Sequence, residues 1–302
     1  MEKLARPKED YCLMSSRLDK FYTKRDVVSR LLSSFNYGSY DVIVEPSAGA
    51  GDFLSELKHD NIIAMDIQPD SDKIKKMNFF DFIYTAKKDE MVLTIGNPPF
   101  GKNSSLAVKF FNHAAEFSDC IAFIVPRTFR KPSIINRLDS NFHLTSQKIL
   151  EKSSFYLPSG EDYKVPTVFQ VWERSTEQRA KIITLKEHPD FEFVPINHSP
   201  SKSPTDEQKI FQCNEADFCV RRVGAAAGKV YKDYGTKYRD WKSHYYIKEK
   251  FLGAREIIES INWEFEESPK FDNAGNPSIS KNDLIKFYIE NKTCANSKNR
   301  LS

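Results

Sequence analysis

Val42-Ile43-Val44-Glu45-Pro46-Ser47-Ala48-Gly49-Ala50-Gly51-Asp52-Phe53 is the stretch from which the rest of the chain can be read. The apolar run Asp41–Val44 has the length of a buried strand, and Asp52–Lys58 reads as a helix. Between them, Gly49 and Gly51 allow a tight turn and close approach of the backbone to a ligand. A strand that turns through Gly-x-Gly into a helix is the opening unit of a parallel α/β sheet. The third glycine of the dinucleotide fingerprint is absent, so the turn alone names no ligand.

Working outward, Asn61–Met65, Met91–Ile95 and Cys120–Val125 repeat the pattern of short apolar runs, and Ser104–Phe117 that of a helix. Strands separated by helices predict a doubly wound, mostly parallel sheet. Leu144–Leu150 and Pro166–Trp172 flank a polar insert and predict an antiparallel pair at one sheet edge. Upstream, Leu18, Phe21, Val27, Val28, Leu31 and Leu32 predict an amphipathic helix starting near Thr23. The expected organisation is an N-terminal arm (1–17), an α/β domain (18–175) and a smaller C-terminal accessory domain (176–302). In the last region Lys181–Leu185, Phe191–Val194 and Phe218–Val223 read as strands, Asn197–Glu207 as a polar loop, and the final dozen residues as frayed.

Composition narrows the class. The 302 residues, 40% apolar and 13% aromatic, describe a folded globule and not a disordered chain. No apolar run approaches the ~20 residues of a membrane span. The N-terminus lacks the apolar core of a signal peptide, so an intracellular, cytoplasmic protein is expected. Cys12, Cys120, Cys213, Cys219 and Cys294 are scattered without CxxC spacing and predict reduced thiols, with neither a disulfide framework nor a metal site. A monomer is expected, although nothing in the sequence fixes the oligomeric state.

The loop after Met91–Ile95 carries the chemistry. Asn97-Pro98-Pro99-Phe100 leaves the end of a buried strand, where open α/β sheets bind ligands. Two consecutive prolines hold the backbone extended and remove two N–H groups. The Asn97 side-chain oxygen and the Pro98 carbonyl then form two acceptors aimed at one place, which suits a substrate –NH2 group. Asp66, ending the second strand, is positioned to accept both hydroxyls of a ribose; an exposed strand-end carboxylate is the alternative.

This tetrapeptide and the Val42–Phe53 loop together resemble the N6-adenine nucleic-acid methyltransferases, which use S-adenosylmethionine and have the class I, Rossmann-like methyltransferase fold. The resemblance covers roughly residues 18–175. It implies that Lys20-Phe21-Tyr22-Thr23 is the entry segment closing over the methionine end of the cofactor. It also implies that Glu45, Pro46, Ser47, Gly49 and Gly51 surround that end, with Glu45 towards the ammonium group. Phe53 packs near the methionine moiety or simply in the core. Ile67 lies against the adenine face, Asp81 accepts from the cofactor's adenine amino group, and Phe82 is its neighbour; Asp81 as a turn residue capping the next segment is the alternative. Phe100 offers a stacking face to a base rotated out of its helix. Phe155 and Tyr156 are further base contacts or hydrophobic packing. Cytosine-C5 chemistry is disfavoured, because it needs a Pro-Cys pair and the sequence has none.

The net charge of +3 is small, but its distribution is uneven. Val220–Lys250 holds nine Lys or Arg against three acids, interleaved with six aromatics. A solvated face is the ordinary meaning of such a run. Beside a loop that handles a nucleobase, phosphate contact by Arg221, Arg222 and Lys229 becomes the expectation. Nucleic acid is therefore the expected partner, with DNA ahead of RNA. A protein-glutamine N5-methyltransferase and a non-catalytic nucleic-acid-binding subunit are the alternatives. Phe100, where the glutamine enzymes carry Tyr, counts against the first, and the intact Asn97, Gly49 and Gly51 count against the second.

Overall fold

The structure is a computed structural model that describes residues 20–195, 215–232, 240, 242–273 and 275–298. The expected arm (1–17), the Asn197–Glu207 loop and part of the basic–aromatic run lie outside the described residues. The chain divides into two compact units, Met1–Ile182 and Ile183–Ser302.

The first unit is built on a seven-stranded sheet. Its strands are β2 (Val42–Glu45), β3 (Ile62–Asp66), β4 (Lys75–Lys76), β5 (Val92–Gly96), β6 (Cys120–Pro126), β7 (Phe142–Ile149) and β10 (Thr167–Arg174). They lie in the order β4-β3-β2-β5-β6-β10-β7. β2 pairs in parallel with β3 and β5, and β5 with β6, while β10 runs antiparallel to both β6 and β7. This order is the class I methyltransferase topology. The reversed strand is β10, inserted inside the edge strand β7.

Alternation along the strands explains why they read as continuous apolar runs. Val42 and Val44, with Ile121, Phe123 and Val125, face a core with α3 (Ser105–Ala114). Ile43, Leu93, Ile95, Ala122 and Ile124 face a second core with α1 (Arg25–Leu32) and Phe53. A sheet covered on both faces needs apolar residues at every position. The short helices α2 (Asp52–Glu56) and α4 (Pro132–Ile135) complete the unit. A separate small sheet pairs β1 (Tyr22–Thr23) antiparallel with β8 (Phe155–Tyr156), and β8 with β9 (Asp162–Tyr163).

The first unit ends seven residues beyond the expected boundary at 175, and polar contacts explain why. The Arg179 guanidinium donates to the carbonyls of Phe142 (3.2 Å) and Ile135 (3.0 Å). Asn136 exchanges two bonds with the Ile182 backbone, each 2.9 Å long.

The second unit carries the four-stranded antiparallel sheet β11-β14-β12-β13, made of β11 (Phe191–Phe193), β12 (Phe218–Arg221), β13 (Val230–Tyr231) and β14 (His244–Glu249). Helices α5 (Ala254–Ser260) and α6 (Lys281–Lys298) pack on it through Ile258, Leu284, Ile285 and Tyr288. Two expectations change here. Lys181–Leu185 forms no strand: Ile183 is 81% exposed, and the Leu185 N–H bonds the Asn282 side chain instead of a ladder partner. Of the final dozen residues, expected to fray, 291–298 continue α6 to Lys298, and 299–302 lie outside the described residues. Among the described residues no helix is long and apolar enough to cross a membrane.

Candidate active site

β3 and β5 flank β2 on opposite sides, so the chain reverses its winding direction there, and a crevice opens at the carboxyl ends of such strands. A cavity of about 320 Å³ occupies it. Its walls come from the three strand exits: Pro46, Ser47 and Gly49 after β2, Asp66 to Gln68 at β3, and Asn97 to Pro99 after β5. Lys20, Phe21 and Tyr22 close one side. The volume is at the small end of the range for small-molecule sites.

The Gly-x-Gly turn is held by the neighbouring strand. The Gly49 N–H donates to one Asp66 oxygen (2.9 Å) and the Gln68 N–H to the other (2.7 Å). A carboxylate has about four acceptor positions, so both oxygens of Asp66 retain capacity for a ligand. Gly49 has φ +51°, and a Cβ there would stand 2.8 Å from the Tyr22 ring. The glycine is therefore required twice, by its backbone conformation and by the ring above it. Tyr22 is anchored in turn, its hydroxyl donating to Asp70, which also takes an ion pair from Lys20 at 2.8 Å. Burial alone would raise the Asp70 pKa, but the bonds from Lys20 and Tyr22 hold it below the usual range.

Glu45 ends β2 and is 1% exposed. Burial first, then the charges of Asp52 and Asp66, push its pKa up to about 8, against a hydrogen bond from the Leu54 backbone. Its Oε2 is buried with no hydrogen-bond partner. This environment favours the protonated carboxyl group at neutral pH, and a cation beside it would draw the pKa down again and pair with the carboxylate.

The Asn97 loop is fixed from several directions. Ser47 Oγ donates to the Asn97 carbonyl (3.0 Å), joining the two motif loops. The Asn97 amide nitrogen donates to Thr23 Oγ1 (3.3 Å), which directs Oδ1 the other way. That Oδ1 is buried and unpartnered. Among the described residues no donor reaches the Pro98 carbonyl. The Phe100 carbonyl, in contrast, accepts from the Leu106 and Ala107 N–H groups (3.1 and 3.2 Å) and so caps α3. Gly101, Asn103 and Ser104 follow with positive φ, a strained return into the helix.

The other expected residues separate. Ile67 lines the cavity at 40% exposure. Asp81 is exposed on a short 3-10 turn away from it; Asn78, three residues earlier, lines the wall instead. Phe82 stacks on Phe79 within the first core. Phe53 and Phe155 are buried in the second core, 3% and 0% exposed, and neither lines the cavity. Gly51, φ +84°, starts α2. Thr23 is buried and acts on Asn97. Tyr156 donates to Asp52 (2.9 Å), and burial together with this bond pushes its pKa up to about 12. Phe100 stands edge-on to Phe21, with ring centroids 5.3 Å apart. In the second unit, Arg221 is turned onto its own Val223 carbonyl (3.0 Å), and Lys229 lies over the Tyr231 ring. Asp70 and Asn78 were not legible as site residues, and Lys20 only as the first residue of the entry segment. Asn78 sits inside a segment already singled out, whereas nothing local marks Asp70.

No family model matches this chain. It is 32% identical over 159 residues to the protein Enhanced Downy Mildew 2 of Arabidopsis thaliana, a match covering 45% of this chain and 12% of that protein's length. Among solved structures it is similar to a candidate RNA methyltransferase from Pyrococcus horikoshii, at 18% identity and a TM-score of 0.40, covering 56% of this chain and 100% of that one. It is also similar to the modification subunit of a candidate type I restriction enzyme from Vibrio vulnificus, at 16% identity and a TM-score of 0.37, covering 90% of this chain and 62% of that one. These scores are low, and the assignment of the fold stands on the strand order and the direction of β10.

Proposed function

We propose that this chain is an S-adenosylmethionine-dependent methyltransferase acting on the N6 amine of adenine in nucleic acid. The observation that carries the reading is the buried, unpartnered Oδ1 of Asn97 beside the uncommitted Pro98 carbonyl. A buried acceptor without a donor costs about 1–3 kcal/mol unless a ligand satisfies it. An exocyclic amine has two N–H groups, one for each acceptor.

The cofactor suits the residues present. Asp66 has free acceptor positions for ribose hydroxyls, Gly49 lets the Tyr22 ring close over the turn where a Cβ would collide with it, and Glu45 presents an unsatisfied carboxyl oxygen for a cationic end. When bound, S-adenosylmethionine supplies a methyl group activated on a positive sulfur. The chain's own contribution is orientation. Thr23 and Ser47 fix Asn97, and the rigid Pro98-Pro99 backbone fixes the second acceptor. Two accepted hydrogen bonds draw the amine towards the pyramidal geometry in which its lone pair is available. Alignment and a preorganised electrostatic environment then account for the rate.

The test is transfer of tritium from labelled cofactor to duplex DNA, single-stranded DNA, RNA and protein, with DNA the first polymer to try. Nucleoside analysis of the product should give N6-methyladenine. Label in protein glutamine, or in no polymer at all, would refute the reading.

A further inference from the structure

Four side chains of the second unit form one cluster. The Arg222 guanidinium carbon lies 5.0 Å from the Tyr245 ring centroid, and the Lys281 ammonium 4.4 Å from that of Phe193. The two rings meet edge to face with centroids 5.3 Å apart. Two cations therefore stand on a continuous aromatic floor. Phe193 ends β11, Tyr245 lies in β14, Arg222 follows β12, and Lys281 opens α6. Backbone bonds fix the arrangement. The Arg222 N–H donates to the Ser243 carbonyl (2.9 Å), and the Ile279 N–H donates to the Arg222 carbonyl (2.9 Å). The Tyr245 hydroxyl donates to the Ile279 carbonyl (3.2 Å).

Among the described residues no carboxylate pairs with Arg222 or Lys281, and the Arg222 Nε is buried without a hydrogen-bond partner. Asp283, two residues after Lys281, brings a negative charge that reaches Tyr245 but pairs with neither cation; one of its oxygens accepts from the Ser280 N–H (2.8 Å) and hydroxyl (2.7 Å). Burial, and then the charge of Arg222, push the Lys281 pKa below the ordinary lysine range. Like charges held together over apolar rings are costly until a counter-charge joins them. A phosphate group brings that charge and several acceptor oxygens, which match the guanidinium fork. The Phe193 ring, half-buried beside it, is the face left for the adjoining base.

The geometry points to a phosphate-binding site formed by Arg222 and Lys281 above Tyr245 and Phe193, occupied by a backbone phosphate of a nucleic-acid strand. It rests on the nucleic-acid reading above and refines the expected phosphate contacts. Arg221 is occupied by its own turn, and Lys281, outside the basic run, takes its place.

The experiment is fluorescence anisotropy of a labelled single-stranded oligonucleotide across a salt series, with the full chain and the variants K281Q and R222Q. Each lost phosphate contact lowers the slope of log affinity against log salt by about 0.7. Each variant should show that drop, and the double variant about twice it. Lys281 is exposed at a helix start, so K281Q should melt with the wild type and keeps the test valid if R222Q folds poorly. Unchanged slopes, or no oligonucleotide binding by the wild-type chain, overturn the site. Competition with AMP and inorganic phosphate separates the sources: displacement of the strand by either at comparable concentration would make a free phosphate the occupant and overturn the strand assignment. Binding with the expected slopes but no methylated base would refute the proposed function and leave this site standing. Base methylation with unchanged slopes would do the reverse.

Discussion

Glu45→Gln isolates the cost of keeping a carboxyl group at the end of β2. Folding raises the Glu45 pKa from 4.5 to about 8, chiefly by burial and then by the charges of Asp52 and Asp66. The folded state therefore holds this proton more tightly than the unfolded state. The resulting stabilisation is fully present below pH 4.5, declines as pH rises, and is lost above about pH 8. At about 1.4 kcal/mol per pKa unit the window amounts to at most about 5 kcal/mol, which local relaxation around the ionised group reduces. A glutamine of the same shape carries no such dependence. Because the chain has two compact units, the measurement is hydrogen exchange in peptides covering β2 and β5, compared between variant and wild type at each pH. That comparison cancels the intrinsic pH dependence of exchange. Between about pH 5 and 8 the wild type should lose protection relative to the variant by on the order of 1 kcal/mol per pH unit. Parallel protection profiles across that window would refute the argument that Glu45 is buried with its proton.

Two further substitutions test the cavity. Asn97→Ala should lower methyl transfer by about 10²–10³-fold while cofactor affinity, measured by calorimetry, stays within a few-fold; transfer at the wild-type rate would remove Asn97 from the mechanism. Gly49→Ala places a methyl group 2.8 Å from the Tyr22 ring at φ +51° and should cost on the order of 1–3 kcal/mol. Its melting temperature should fall and its cofactor affinity weaken, and an unaltered melt would show that Tyr22 is free to move aside.

The central sheet was legible because its strands are covered on both faces, so Val42–Val44 and Cys120–Val125 announce themselves as unbroken apolar runs. The Gly-x-Gly turn and the Asn-Pro-Pro-Phe loop were legible for a related reason: backbone constraint is written into Gly and Pro. What failed to show has the opposite character. β4 is two exposed lysines paired to a strand end, with no apolar signal. β14 lies inside the basic–aromatic run, where Tyr245 and Tyr246 count only among the interleaved aromatics and are core residues of the strand, 9% and 2% exposed. Asp81 was singled out by the resemblance alone; that the turn leaves it exposed while Asn78 lines the cavity depends on tertiary placement that the run Asn78–Phe82 does not show. Lys281 was invisible because its partner Arg222 lies far away in sequence and only the pairing of β12 with β14 and the start of α6 brings them together.

The pairing of β1 with β8 sets an order of events in synthesis. Tyr22 and Thr23 are among the earliest described residues made, yet their backbone partners are Tyr156 and Phe155. A contact between such distant segments forms late and pays its loop-closure cost near the end of folding. The parallel strands that carry Gly49, Asp66 and Asn97 are all complete before β8 is translated. The nascent site is thus a three-sided trough, with Phe21 and Tyr22 unfastened from its rim, until the second half of this unit arrives to close it.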